Sequence, residues 1–240
     1  MKLNQSLAVV TGFAVALQLA AAGNITGKVT LNGTAPAEKE ITPLKDDVTC
    51  GKLIGGATPT TKFFVVGPNK ELADVVVMLK SDGLKGKSTG AAAAPVVLDQ
   101  KGCEYSPQIL AVQTGQKITV RNSDPVMHNV HTMPAVPANG EGDNKGQGPG
   151  AGDLTFSIPA AENFMKFKCD VHTWMFAWVT VVDHPYFAVT GKDGSFTIKD
   201  VPPGKYKIAA LHRKAAPAGV ERDIEVTADG GTADFTLEIK

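Results

Sequence analysis

Apolar and polar residues alternate with a period of two through most of this chain, at 24–31, 74–79, 117–121, 163–168, 178–182, 195–199, 205–210 and 232–239. That period sends successive side chains to opposite faces, so each stretch reads as a strand with one buried face. Turn-forming runs separate them: Asn32-Gly33, Asp82-Gly83, Thr114-Gly115, Asp193-Gly194, Pro202-Pro203-Gly204 and Asp229-Gly230-Gly231. After the N-terminal segment no helical pattern outlasts a turn or two. The expected fold class is all-β, built as β-sandwiches.

Two segments break the pattern. Residues 81–94 are rich in Gly, Lys and Ala and read as a linker or surface loop. Residues 134–152 are Gly-rich and polar, with no packing residue after Val136, and read as an unordered loop, either a tolerated surface insertion or one draped beside His128.

At the N-terminus Lys2 precedes an apolar run from Leu7 to Ala22, broken only by Thr11, Gly12 and Gln18, and closed by Ala20-Ala21-Ala22-Gly23. A basic start, an apolar middle and small residues at the end make a signal peptide over 1–22, with Gly23 the first mature residue. The run falls short of the ~20 unbroken apolar residues a span requires. The mature chain is therefore expected to be exported, periplasmic or extracellular, without a stable membrane span. The 24 basic and 24 acidic residues of the full sequence balance, and the net charge becomes −1 if Lys2 leaves with the signal, so no charge excess points to nucleic acid.

Export bears on the three cysteines, Cys50, Cys103 and Cys169. In an oxidising compartment two of them pair. Cys50 and Cys103 lie in polar, turn-like settings, and pairing them leaves Cys169 as a free thiol. The alternative is three reduced, inert thiols.

Cys169 opens Cys169-Asp170-Val171-His172-Thr173-Trp174-Met175, a thiol, an imidazole and a thioether at intervals of three. Apolar and lysine residues alternate in Met165-Lys166-Phe167-Lys168-Cys169, which turns Cys169 inward with Met165 and Phe167. Upstream, His128 stands in Asp124-Pro125-Val126-Met127-His128-Asn129-Val130. His128, Cys169 and His172 with Met175 make the ligand set of one copper ion in a trigonal site with a weak axial thioether. Zinc shares the thiolate and imidazole preferences but not the thioether. The plain alternative is a buried thiol, a core methionine and surface histidines.

Residues 95–183 resemble a cupredoxin, the blue-copper family of plastocyanin and amicyanin. Pro107-Gln108-Ile109-Leu110-Ala111-Val112 and the stretch from Thr114 to Asp124 are similar to its strand–turn–strand lead-in. His128-Asn129-Val130 falls where plastocyanin-like members carry their first histidine ligand, and Cys169-x-x-His172-x-x-Met175 resembles the short ligand loop of amicyanin-like members. The resemblance implies that Asn129 ties the ligand loops together by backbone hydrogen bonds. Trp174, between two ligands, would cover the metal, face an electron partner or pack on the neighbouring sandwich. His131 is expected to be no ligand, and His184 and His212 to be structural.

The flanking segments resemble the two halves of a carboxypeptidase regulatory-like domain, a transthyretin-like β-sandwich. Gly27-Lys28-Val29-Thr30 and Ala73-Asp74-Val75-Val76-Val77 fit its first half. Phe187 to Ile198, then Val201-Pro202-Pro203-Gly204-Lys205-Tyr206, fit its second. The expected organisation is a split sandwich, 23–82 with 184–240, interrupted by the copper domain at 95–183.

These readings imply a non-enzymatic type 1 copper protein carrying single electrons to a redox partner protein. The alternatives are an adhesive or structural envelope protein whose sandwich does the binding, and a copper storage or delivery protein.

Overall fold

Strands that bury one face need a second layer to bury it against, and this chain supplies two such pairs of layers. The computed structural model describes residues 21–239. The expected signal peptide therefore lies, all but its last two residues, outside the described residues. The chain is an all-β protein.

One sandwich draws on both ends of the chain. In its first sheet Gly23–Asn32 lies between Ser195–Val201, antiparallel, and the parallel strands Gly231–Thr232 and Phe235–Glu238. The second sheet runs Phe187–Val189, Val76–Leu79, Gly204–His212, Ala216–Val226. Ile25, Val29, Phe196, Ile198 and Leu237 from the first meet Val77, Leu79, Ile208 and Ile224 from the second in one apolar core.

The other sandwich holds the middle of the chain. Its larger sheet runs Ile109–Gln113, Phe176–Val182, Glu162–Lys168, His128–Met133, Asn144–Gln147. The facing sheet runs Tyr105–Ser106, Val96–Gln100, Lys117–Asn122, Leu154–Ser157. Val112, Val130, Phe167 and Val179 pack there against Leu98, Ile118, Val120 and Phe156.

Two expectations are corrected. Val76–Leu79 does not alternate between buried and exposed; all of it is buried. Val77 and Leu79 face their own core, while Val76 and Met78 pack with Ile109, Val182, Ala209 and Leu211 in a seam between the sandwiches. A strand covered on both sides has no solvent face to mark.

The Gly-rich segment 134–152 is not unordered. Asn144–Gln147 pairs antiparallel with His128–Met133, setting Gln147 opposite His128. Gln147 is buried and works as a polar hub: its Oε1 accepts from Gln100 Nε2 at 2.6 Å, and its Nε2 donates to Val120 O at 3.0 Å. Asn122 Nδ2 donates to the Gln147 carbonyl at 3.0 Å. Hydrogen bonds, rather than apolar area, order this strand.

The only α-helices among the described residues, Thr42–Asp46 and Cys50–Leu53, span 5 and 4 residues. They lie over the end of the inner sandwich that carries Cys169 and Trp174, in a small apolar cluster of Ile41, Leu44, Cys50 and Cys103.

Candidate metal centre

The centre forms where two neighbouring strands end. Glu162–Lys168 pairs with His128–Met133 on one side and with Phe176–Val182 on the other. The inward alternation of Met165 and Phe167 continues into Cys169, which is 1% exposed. The chain then turns tightly: Met175 N–H donates to His172 O at 2.8 Å, and Cys169 N–H to Met175 O at 3.0 Å. This turn returns His172 and Met175, both buried, to the side of Cys169.

His128 arrives by another turn. Asn122 ends the strand Lys117–Asn122; its Oδ1 accepts from Asp124 N–H at 3.0 Å and its Nδ2 donates to Val126 O at 2.9 Å. That side chain stands in for backbone pairing, and the turn it closes leaves Asp124 and His128 both buried.

The structure brings three predicted donors together. His128 Nδ1 and His172 Nδ1 stand 2.9 Å apart, and Cys169 Sγ lies 4.0 Å from the first and 3.8 Å from the second. Two imidazole lone pairs do not face each other at such a distance unless a proton or a metal ion lies between them. The point equidistant from the three donor atoms is about 2.1 Å from each, the ordinary length of a metal–imidazole bond and about 0.2 Å short of a metal–thiolate bond. The donor set fits a soft or borderline ion held in a trigonal plane. Met175 shares the core cluster of Cys169 and supplies the only thioether in it besides Met165.

Asn129 links the two ligand loops, and more through its side chain than the predicted backbone bonds. Its Oδ1 accepts from Asp170 N–H at 2.7 Å, and its backbone N–H reaches Cys169 Sγ at 3.5 Å. His172 N–H also points at that sulfur, at 3.4 Å. Trp174 is half-buried; its ring sits 5.2 Å from that of His172, and its indole N–H donates to Cys103 O at 3.0 Å. It covers a ligand.

The remaining histidines fall outside the donor cluster. His131 Nδ1 lies 2.8 Å from Asp170 Oδ2 on a partly exposed edge. His184 Nε2 donates to Leu79 O at 2.8 Å while its Nδ1 accepts from Tyr186 N–H at 3.1 Å. His212 Nδ1 accepts from Ala215 N–H at 3.1 Å, and its ring stacks on Phe64.

Asp124 was missed as a functional residue. Its Oδ2 lies 3.0 Å from His128 Nε2, so the proton sits on Nε2 and Nδ1 is left as a donor. Burial opposes its ionisation, but hydrogen bonds from His128, Cys103 and Gly102 prevail and hold its pKa below the usual carboxylate range. The signal available was a carboxylate four residues before the histidine, weak outside a helix. The free thiol and the disulfide partners are as expected: Cys50 is bonded to Cys103 and Cys169 is free.

The electrostatics suit a cation. Burial raises the Cys169 pKa, but His128 and backbone N–H groups from Asn129, His172 and Val171 outweigh it and favour the thiolate. His128 is pulled down by burial yet raised overall by Asp124 and Cys169, whereas His172 is lowered by burial and then by His128. Asp124 and Cys169, each shifted toward its anionic form, thus lie beside the imidazoles in a buried site.

No protein-family model matches the chain, and no curated protein does. Among solved structures, a Cu(I) mutant of amicyanin is similar at 20% identity, over 44% of this chain and 97% of that one, with a TM-score of 0.32. An oxidised amicyanin mutant gives 22% identity, the same coverages and 0.33. A Cu-containing nitrite reductase from Thermus scotoductus SA-01 is 15% identical over 37% of this chain and 22% of its own, at 0.33.

Proposed function

We propose that the chain binds one copper ion as a type 1 centre and serves as an exported one-electron carrier. His128, Cys169 and His172 would hold the ion, with the Met175 thioether as a fourth, weaker ligand. The observation that carries this reading is the triangle of two Nδ1 atoms and one sulfur, sized for a metal at its middle. When bound, copper supplies Cu(I)/Cu(II) one-electron chemistry, tuned by the thiolate and the thioether.

The chain's own residues do the rest. Asp124 keeps the proton on His128 Nε2, and Asn129 fixes Asp170 and Val171 so that the loop holds its shape. The two N–H groups aimed at Cys169 Sγ stabilise charge on sulfur. Trp174 and the Cys50–Cys103 bridge exclude water from His172. Every proposed ligand comes from the protein and is buried, so no position is open to a substrate, which favours a carrier over an enzyme. Exposed Met127 and Val171, each next to a ligand in sequence, offer a redox partner an apolar landing place. No described helix is long and apolar enough to cross a membrane.

The test is the absorption spectrum of the full chain loaded with Cu(II). An intense thiolate-to-copper band near ~600 nm supports the reading. A colourless protein after copper addition sinks it.

A further inference from the structure

The Cys50–Cys103 disulfide lies against the metal centre. Its two sulfurs and a ring nitrogen of His172 are all within 4.8 Å of one another. The backbone beside it is tied to both ligand loops. Asp124 accepts from Gly102 N–H at 2.7 Å and Cys103 N–H at 2.8 Å, while its Oδ2 also meets His128. Gly102 and Cys103 both adopt positive φ, 66° and 54°, which turns these two N–H groups toward one carboxylate. On the other loop, Trp174 bonds Cys103 O and sets its ring 5.2 Å from that of His172, tilted by 53°.

What covers the bridge is thin. Both cysteines are fully buried, under the short helices Thr42–Asp46 and Cys50–Leu53; at the start of the second, Asp47 Oδ1 accepts from Thr49 N–H at 2.9 Å and Cys50 N–H at 2.7 Å. Helices of this length have no stability of their own. The segment is anchored by Ile41, Leu44 and the bridge itself. Regions with so few buried contacts open locally long before the whole fold does.

We propose that the bridge is reducible in the folded protein and that its dithiol form, Cys50 and Cys103 with His172, is a second site for Cu(I). An external dithiol supplies the two electrons. Its thiolate attacks one sulfur of the Cys50–Cys103 bond, a mixed disulfide forms, and the second thiol of the reductant closes its own disulfide. The protein gains two thiols; binding Cu(I) then releases their two protons. Two thiolates and an imidazole are a soft donor set that selects Cu(I) over hard cations. Because His172 belongs to both donor sets, an ion taken up there sits one ligand away from Cys169 and His128. This proposal builds on the copper reading of the first centre, yet its own ligands do not include Cys169, so the two are separable.

The experiment uses the full-length chain carrying Cys169→Ser, anaerobically, before and after reduction and removal of the reductant. Cu(I) is offered from a chromophoric Cu(I) chelator. The reduced form should withdraw one Cu(I) per chain and the disulfide form none. His172→Ala should weaken the reduced form's binding by tenfold or more, and adding Cys50→Ser should abolish it. In the reduced wild-type chain, which needs no substitution to fold, Cu(I) should block alkylation of Cys50 and Cys103 as read by mass spectrometry. Equal Cu(I) uptake by both forms, unprotected cysteines, or a bridge that resists reduction in the folded chain overturns the proposal. None of these results touches the blue band of the Cu(II) wild type, which judges the first centre alone.

Discussion

The two sandwiches bury histidines in opposite ways. In the one built from both ends of the chain, His184 gives one nitrogen to Leu79 O and the other to Tyr186 N–H. Both nitrogens of that ring, the N–H and the lone pair, are spent on backbone. In the inner sandwich His128 engages Asp124 through Nε2 and turns Nδ1 toward Cys169 and His172. Burial is similar, with His128 at 0% exposure and His184 at 3%. The difference lies in which partners reach the ring nitrogens, and that decides whether a buried histidine spends both on bracing the fold or keeps one for the ion we propose.

This contrast can be broken at its strongest point by Cys169→Ser. Loss of the thiolate should abolish the ~600 nm band and tight Cu(II) binding by the disulfide-intact chain, with thermal unfolding of the apo chain little changed. A retained band would place the thiolate elsewhere.

The structural histidines should report on protons instead of metal. Burial, with Arg213 adding to it, pushes the His212 pKa down to about 4. In the unfolded chain it titrates near about 6.5. Between these values the unfolded state binds more protons, so stability is whole above the upper one and falls as pH drops toward the lower. The loss should approach about 3 kcal/mol, by that difference in pKa. Urea midpoints taken across this range should show the slope in wild type and a shallower one in His212→Gln. His184, lowered by burial, acts in the same direction and remains in both proteins.

Asp124→Asn sharpens the comparison further, since it removes the carboxylate that sets the His128 tautomer. Copper affinity measured by chelator competition should fall about 10–100-fold. The same substitution weakens the anchor of Gly102 and Cys103. The smallest effect is expected of His131→Ala. His131 touches Asp170 from outside the donor cluster, so the blue band should keep its position and intensity.

Much of the centre was legible in the residues. Alternation through Met165, Phe167 and Cys169 pointed the sulfur inward, and it is 1% exposed. The count of three cysteines left Cys169 free once Cys50 and Cys103 were paired, as the structure has them. Asp124 was not legible, because its partners Gly102 and Cys103 lie 22 and 21 residues away and join it only through a turn. Gln147 was hidden for a related reason: a polar residue in a Gly-rich stretch looks solvated until Gln100 and Val120 are seen to satisfy it. Val76–Leu79 misled in the other direction, since the seam that buries its second face belongs to a neighbouring sandwich.

The sequence by itself determined the class of fold and the chemistry of the donors. Period-two alternation and turn residues are local properties, and so is the choice of thiol, imidazole and thioether at fixed spacing. The tertiary structure alone decided which nitrogen of His128 is free, that the disulfide stands against His172, and that a Gly-rich segment becomes a strand. Each of those depends on who satisfies a buried polar group, and hydrogen-bond partners are drawn from across the fold rather than from along the chain.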